Sequence, residues 1–222
     1  MFKSKQRDIV ITQYEHGRLA GIIAAHWGNE RFGKPAIDFN SFVKGVTFHD
    51  RGYGLIDNAP IDGVPVAEWL AIQKRGIDER YDDATADIVA LLHIRRLLNL
   101  DPTPERQTLM ARADERIEAR LTETTHTRAQ FVTADRITRF CDDLAFHFSF
   151  ENVRAVTHQV HQQPDGELVE ITSRIESGGL IRVDPWPFSV SRFGGFVIAY
   201  QAAGYPDRLE PLLVDFQVEG VK

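Results

Sequence analysis

Near Ala155 the apolar residues change their period, and that change limits what this chain can become. From Thr12 to Glu151 apolar positions recur at three- and four-residue steps, the spacing of amphipathic helices. Beyond Ala155 come short β-branched and aromatic runs, VEITSRIE, LIRVDPWPF, FVIAYQAAGY and LLVDFQVEG, broken by the turn signals PDG and SGG. The order predicts an α+β fold, a mainly α-helical core with C-terminal antiparallel β hairpins packed on it. No Pro- or Ser-rich linker marks the changeover, so residues 1–154 and 155–222 are expected to share one core in a single domain. A chain of 222 residues is long enough to bury it.

The helical part divides at its caps and breakers. Thr12 and Glu15 stand at capping-box spacing and open a helix in which His16, Leu19, Ala20, Ile23 and Trp27 share one face. Phe39, Phe42, Val43, Val46, His49 and Asp50 keep one face of a second helix, which Gly52 is placed to stop. Gly52 to Pro65 reads as a long loop. Pro65 can begin a short helix to Lys74, and Asp82 or Asp83 can cap a strongly apolar helix from Ala84 to Leu98, with His93 on the face of Ala86, Val89, Ala90 and Leu97. Thr103 and Pro104 open a charged helix to about Leu121. Arg128 to Glu151 is the last, with Phe131, Ala134, Thr138, Cys141, Asp142 and Ala145 on one side.

Charge and cysteine content narrow the partners. The formal net charge is -6, and the 26 Lys and Arg are scattered among 32 acids, so no basic stripe suggests nucleic acid. One cysteine, Cys141, excludes an intramolecular disulfide and a thiolate zinc cluster. No window has the apolar length of a membrane span and the first residues do not read as a signal peptide, so a cytoplasmic protein without membrane contact is expected. A small-molecule substrate is the expected partner, and a homodimer is left open.

His16, His49, Asp50, His93 and Asp142 come from four predicted helices and mostly sit on apolar faces. Buried imidazoles and carboxylates need partners, and a shared cation would satisfy several at once. A nitrogen and oxygen donor set without thiolate suits Fe, Mn, Zn, Co or Mg, as one or two divalent ions. Asp143 competes with Asp142, which the apolar stripe favours. Lys44, Arg51, Arg95 and Arg96 are candidates to meet a substrate phosphate. The bland alternative for His49 and Asp50 is a helix end, with the histidine held by the dipole beside a capping acid. His26, His147, His158 and His161 are expected to be bonded core histidines or exposed, and His126 to be exposed. Tyr53 and Trp69 could line a pocket, and Trp186 within DPWPF is expected to pack between hairpin and helices.

The order of His16, then His49 with Asp50, then a distant Asp142 resembles the HD-domain superfamily of metal-dependent phosphohydrolases. The resemblance implies four metal ligands from separate helices of an HD-like core, Asp50 as ligand and water-orienting group, and His93 where some such sites bind a second metal or a substrate phosphate. A closer likeness covers most of the chain: QYEHGRLAG, HDRGYG, LLHIRRLL, CDDLAFHF and DPWPF are similar to an uncharacterised bacterial family with no assigned reaction. The expected function is hydrolysis of a small phosphoester or nucleotide by a metal-activated water, with His93 able to protonate the leaving oxygen. A di-iron oxygenase-type enzyme and a non-catalytic metal-binding module are the alternatives.

Overall fold

The Thr12 hydroxyl accepts the Glu15 amide at 3.2 Å and so starts helix α1, Gln13–Ala25. Only half of the expected capping box forms. The Glu15 carboxylate instead takes Arg18 and, at 2.7 Å, the Ile198 amide. The computed structural model describes residues 1–54, 57, 63–163 and 166–221. Five more helices follow: α2 (Phe39–Thr47), α3 (Val66–Asp78), α4 (Ala84–Leu98), α5 (Pro104–Leu121) and α6 (Arg128–Ser149). Asp38, Asp83, Thr103 and Thr127 cap four of them through their side chains, and at α6 Thr127 and Gln130 complete a capping box.

Two boundaries differ from the periodicity. Helix α2 ends at Thr47, so His49 and Asp50 lie in a tight turn that leads to a single 3₁₀ turn, Arg51–Tyr53. The chain leaves the helix because Arg51 is drawn to the Gly76 carbonyl, at 2.6 Å, and to Asp87. Gly52 meanwhile presses on α3, where a Cβ would stand 2.2 Å from the Ile72 carbonyl oxygen. Helix α3 runs past Lys74 to Asp78, because the buried Ile72 and Ile77 extend its core face and override the weak helix propensity of Gly76. The loop expected over Gly52 to Pro65, and the PDG turn, fall partly outside the described residues.

Seven strands among the described residues form one sheet: β1 (Phe2–Lys3), β2 (Ile9–Ile11), β3 (Ala155–His161), β4 (Leu168–Ile175), β5 (Leu180–Asp184), β6 (Arg192–Gln201) and β7 (Pro211–Gly220), in the order β1-β2-β6-β7-β5-β4-β3. The C-terminal β region is therefore present. The sheet goes beyond hairpins in two ways: the N-terminal lead-in supplies β1 and β2 beside β6, and β5 pairs parallel to β7. The DPWPF segment makes that parallel pairing possible by carrying the chain from β5 past β7 to β6. There Trp186 packs on Phe188 at 4.8 Å and donates its indole N–H to the Val190 carbonyl, a packing role.

Buried side chains join helices and sheet in one cluster. Trp27, two residues past α1, meets Phe140 of α6 at 5.6 Å and Phe188 at 6.1 Å, and Phe148 of α6 meets Phe216 of β7 at 6.0 Å. On the other side of α1, Gly17 and Gly21 let α2 approach: a Cβ on either would lie within 2.5 Å of Thr47. The approach brings His16 and the turn after α2 to the same place.

Candidate metal centre

His16 sits one turn into α1, His49 and Asp50 in the turn after α2, His93 on the third turn of α4 and Asp142 on α6. The fold brings all five together. His16 Nε2 lies 3.1 Å from His49 Nε2 and 3.2 Å from Asp142 Oδ1, and His49 Nε2 lies 3.3 Å from the same oxygen. Asp50 Oδ2 stands 3.6 Å from His16 Nε2 and 3.5 Å from His49 Nε2. Ligand bonds of about 2.1 Å place neighbouring donors about 3.0 Å apart in an octahedron and about 3.4 Å apart in a tetrahedron. The cradle matches the size of one small divalent cation. His16, His49 and Asp142 form one group able to hold an ion, and His49, Asp50 and His93 form a second that shares His49.

Hydrogen bonds orient the donors. The Val46 carbonyl oxygen is 2.6 Å from His49 Nδ1, which therefore carries a proton and leaves a lone pair on Nε2, directed at the cluster. His16 is 1% exposed and its Nδ1 has no hydrogen-bond partner among the described residues, while the Phe2 ring lies 4.8 Å from its own. Burying these polar groups is costly without a strong common partner, and the donor set fits a cation. Arg96 Nη2 is 2.9 Å from His93 Nδ1 and 3.3 Å from Asp142 Oδ2, and Arg96 also pairs with Asp135. A guanidinium only donates, so this contact fits a neutral His93 whose Nε2 carries the proton toward Asp50 Oδ1, 3.2 Å away.

Burial pushes the Asp50 carboxyl up, but His49, His93 and His16 outweigh it and bring it down to about 2. Burial likewise opposes the low value of Asp142, which His93, His49 and His16 hold well below the carboxylate range. Burial lowers His93, yet Asp142 and Asp50 raise it to about 9, which favours the imidazolium; the Arg96 guanidinium, 2.9 Å from Nδ1, opposes that charged form, and this direct contact decides for the neutral ring. Asp143 points elsewhere, toward His158 Nδ1 at 3.5 Å, and burial beside Asp142 pushes it up. Asp142, not Asp143, faces the cluster.

The phosphate candidates separate. Arg96 enters the cluster, as described. Arg51 turns away from it into a buried ion cluster with Asp87 and Arg120, and Arg95 pairs with Asp114 at 2.8 Å. Lys44 is largely exposed and reaches Asp83 at 3.2 Å, on the wall of a cavity of about 700 Å³. Asp50 also lines that cavity, with Tyr14, Phe48 and Tyr81. The periodicity did not expose these aromatics as pocket residues, because Phe48 lies past the helix end; the adjacency of Phe48 to the HD pair was the available signal. Tyr53 borders His49 and Asp50, and Trp69 lies beneath Arg106. His126 is half-buried and accepts the Asp38 amide at 3.1 Å, contrary to the expected exposure.

Residues 1–201 match the model of a family described as protein of unknown function (DUF3891). The chain belongs to that family. The match spans every element of the DUF3891 protein that supplies the cluster, and it agrees with the likeness to an uncharacterised family. It lends no support to membership of the HD-domain superfamily, which rests on residue order and placement alone. No curated protein and no solved structure matches this DUF3891 chain. Among its described residues no helix is long and apolar enough to cross a membrane.

Proposed function

We propose that this DUF3891 protein is a metal-dependent hydrolase of HD type that acts on a small phosphoester or nucleotide. The observation that carries the reading is the set of four donor atoms, His16 Nε2, His49 Nε2, Asp50 Oδ2 and Asp142 Oδ1, spaced for one cation beside a substrate-sized cavity. A bound divalent ion supplies Lewis acidity and a water whose pKa falls from 15.7 toward about 7. Asp50 occupies the position between donor set and cavity, where its second oxygen can orient an attacking water. His93 holds a proton toward Asp50 and is the group to pass one, through Asp50 or a water, to the leaving oxygen. Arg96 fixes His93 and Asp142 from behind and carries positive charge close to where phosphoryl charge develops. Lys44 stands at the cavity wall to meet a phosphate, and Arg51 is withdrawn from that role because Asp87 holds it. Assays of p-nitrophenyl phosphate and mononucleotides with Mn, Fe, Co, Zn or Mg test the reading. Turnover that is lost on chelation and in Asp50→Ala agrees with it; no turnover with any metal contradicts it.

The second donor group, His49, Asp50 and His93, favours one further reading, a pair of irons used for oxygen chemistry. It requires His93 Nδ1 to carry the proton, against the contact with Arg96. Two irons per chain with oxygen consumption would select it.

A further inference from the structure

Behind α6, away from the cavity at Asp50, lies a second cavity of about 370 Å³ between the helix and edge strand β3. Its walls carry three guanidinium side chains, Arg96, Arg136 and Arg139, against one carboxylate, Asp135. Arg136 pairs with no carboxylate among the described residues, and Arg139 reaches only Asp143, at 3.7 Å. His158 also lines the cavity: it is 6% exposed, its Nδ1 lies 3.5 Å from Asp143, and its Nε2 is buried with no hydrogen-bond partner among the described residues. One guanidinium without a carboxylate, Arg136, beside the loosely paired Arg139 and the shared Arg96 in a concave site that also holds a buried imidazole nitrogen, is an arrangement that a multidentate oxyanion completes. The volume suits a phosphate group bearing a small substituent.

We propose that this cavity binds a phosphate group, free or on a small molecule, with Arg136 and Arg139 supplying the charge and His158 Nε2 a buried contact. Asp135 is the competing group: it occupies Arg96 in the absence of ligand. Arg96 is shared with the cluster on the far side of α6, so an anion that draws on it acts on the residue that holds His93 and Asp142. The phosphate site itself does not depend on the metal reading.

Titration calorimetry of the full chain with inorganic phosphate at low ionic strength tests the proposal, with chloride at matched ionic strength as control and methyl phosphate to distinguish a free from an esterified ligand. Saturable phosphate binding is expected, weakened at least tenfold in Arg136→Ala/Arg139→Ala and tightened in Asp135→Asn, where the competitor is removed. The opposite signs separate a site from general loss of structure, which melting curves on both variants check. Equal competition by chloride, no saturable binding, or phosphate binding that survives the double arginine variant but is lost in His49→Ala would overturn it.

Discussion

The Val46 carbonyl oxygen accepts a hydrogen bond from His49 Nδ1 at 2.6 Å, one turn back along the chain. Helix α2 has just ended, so this carbonyl has no further helical amide to bond. The end of the helix thus fixes the tautomer of the histidine, and the lone pair on Nε2 faces His16 and Asp142.

Asp142 and Asp143 are adjacent yet have different tasks. Asp142→Asn is expected to lower metal affinity by more than the roughly 10- to 100-fold typical of a group that only orients a ligand. Asp143→Asn, which faces His158, should leave metal content within error of the unmutated protein. Metal analysis of the two variants side by side checks the assignment.

Gly21 allows the crossing that joins His16 to His49. Alanine at this position in an isolated helix would stabilise by about 1 kcal/mol. Here its Cβ would meet Thr47 Oγ1 at 2.0 Å, so Gly21→Ala is expected to destabilise by about 1–3 kcal/mol and to weaken metal binding as α1 and α2 separate. Denaturant unfolding gives the sign, which propensity and crowding predict oppositely.

Asp87, fully buried on α4, is shared by Arg51 and Arg120, with Arg116 at 3.5 Å. Asp87→Ala leaves buried guanidiniums without their counter-charge and should cost about 3–5 kcal/mol by chemical denaturation. A loss below about 1 kcal/mol would show that the cluster does not hold the turn at Asp50 in place.

Glu151 clasps the N-terminal segment to the end of α6 through Ser4 and Arg7. Burial pushes its carboxyl up, but these two partners hold it below its ordinary value of 4.5. The unfolded chain therefore takes up this proton first as the solution is acidified. The stabilisation is complete above about pH 4.5 and is lost as pH falls through the folded value. Melting temperatures of the unmutated protein and Glu151→Gln should differ at pH 7 and converge toward pH 3.

Spacing made much of this legible. The i, i+3, i+4 stripes give α4 and α5 their observed limits and turn His16, His93 and Asp142 inward, because a one-dimensional period maps onto one face of a helix. The end of α2, the destination of Arg51 and the parallel pairing of β5 with β7 were not legible. Each is decided by a contact distant in sequence: Arg51 with Asp87, Gly52 with Ile72, and a crossover through Pro185 and Pro187. A periodic pattern does not encode which distant group a side chain meets. The donor cluster was partly legible for the opposite reason, since each ligand lies on, or just beyond, a strongly patterned helix.

The cluster of His16, His49, Asp50 and Asp142 as a metal centre is the central claim. Metal stoichiometry of protein purified without chelator, compared with His49→Ala, tests it most directly, with melting curves on both. One or two divalent ions per chain in the unmutated protein, and their loss from a variant that still melts cooperatively, is the predicted result. Unchanged metal content in His49→Ala, or no metal in the unmutated protein even after incubation with Fe, Mn, Zn, Co or Mg, would contradict it.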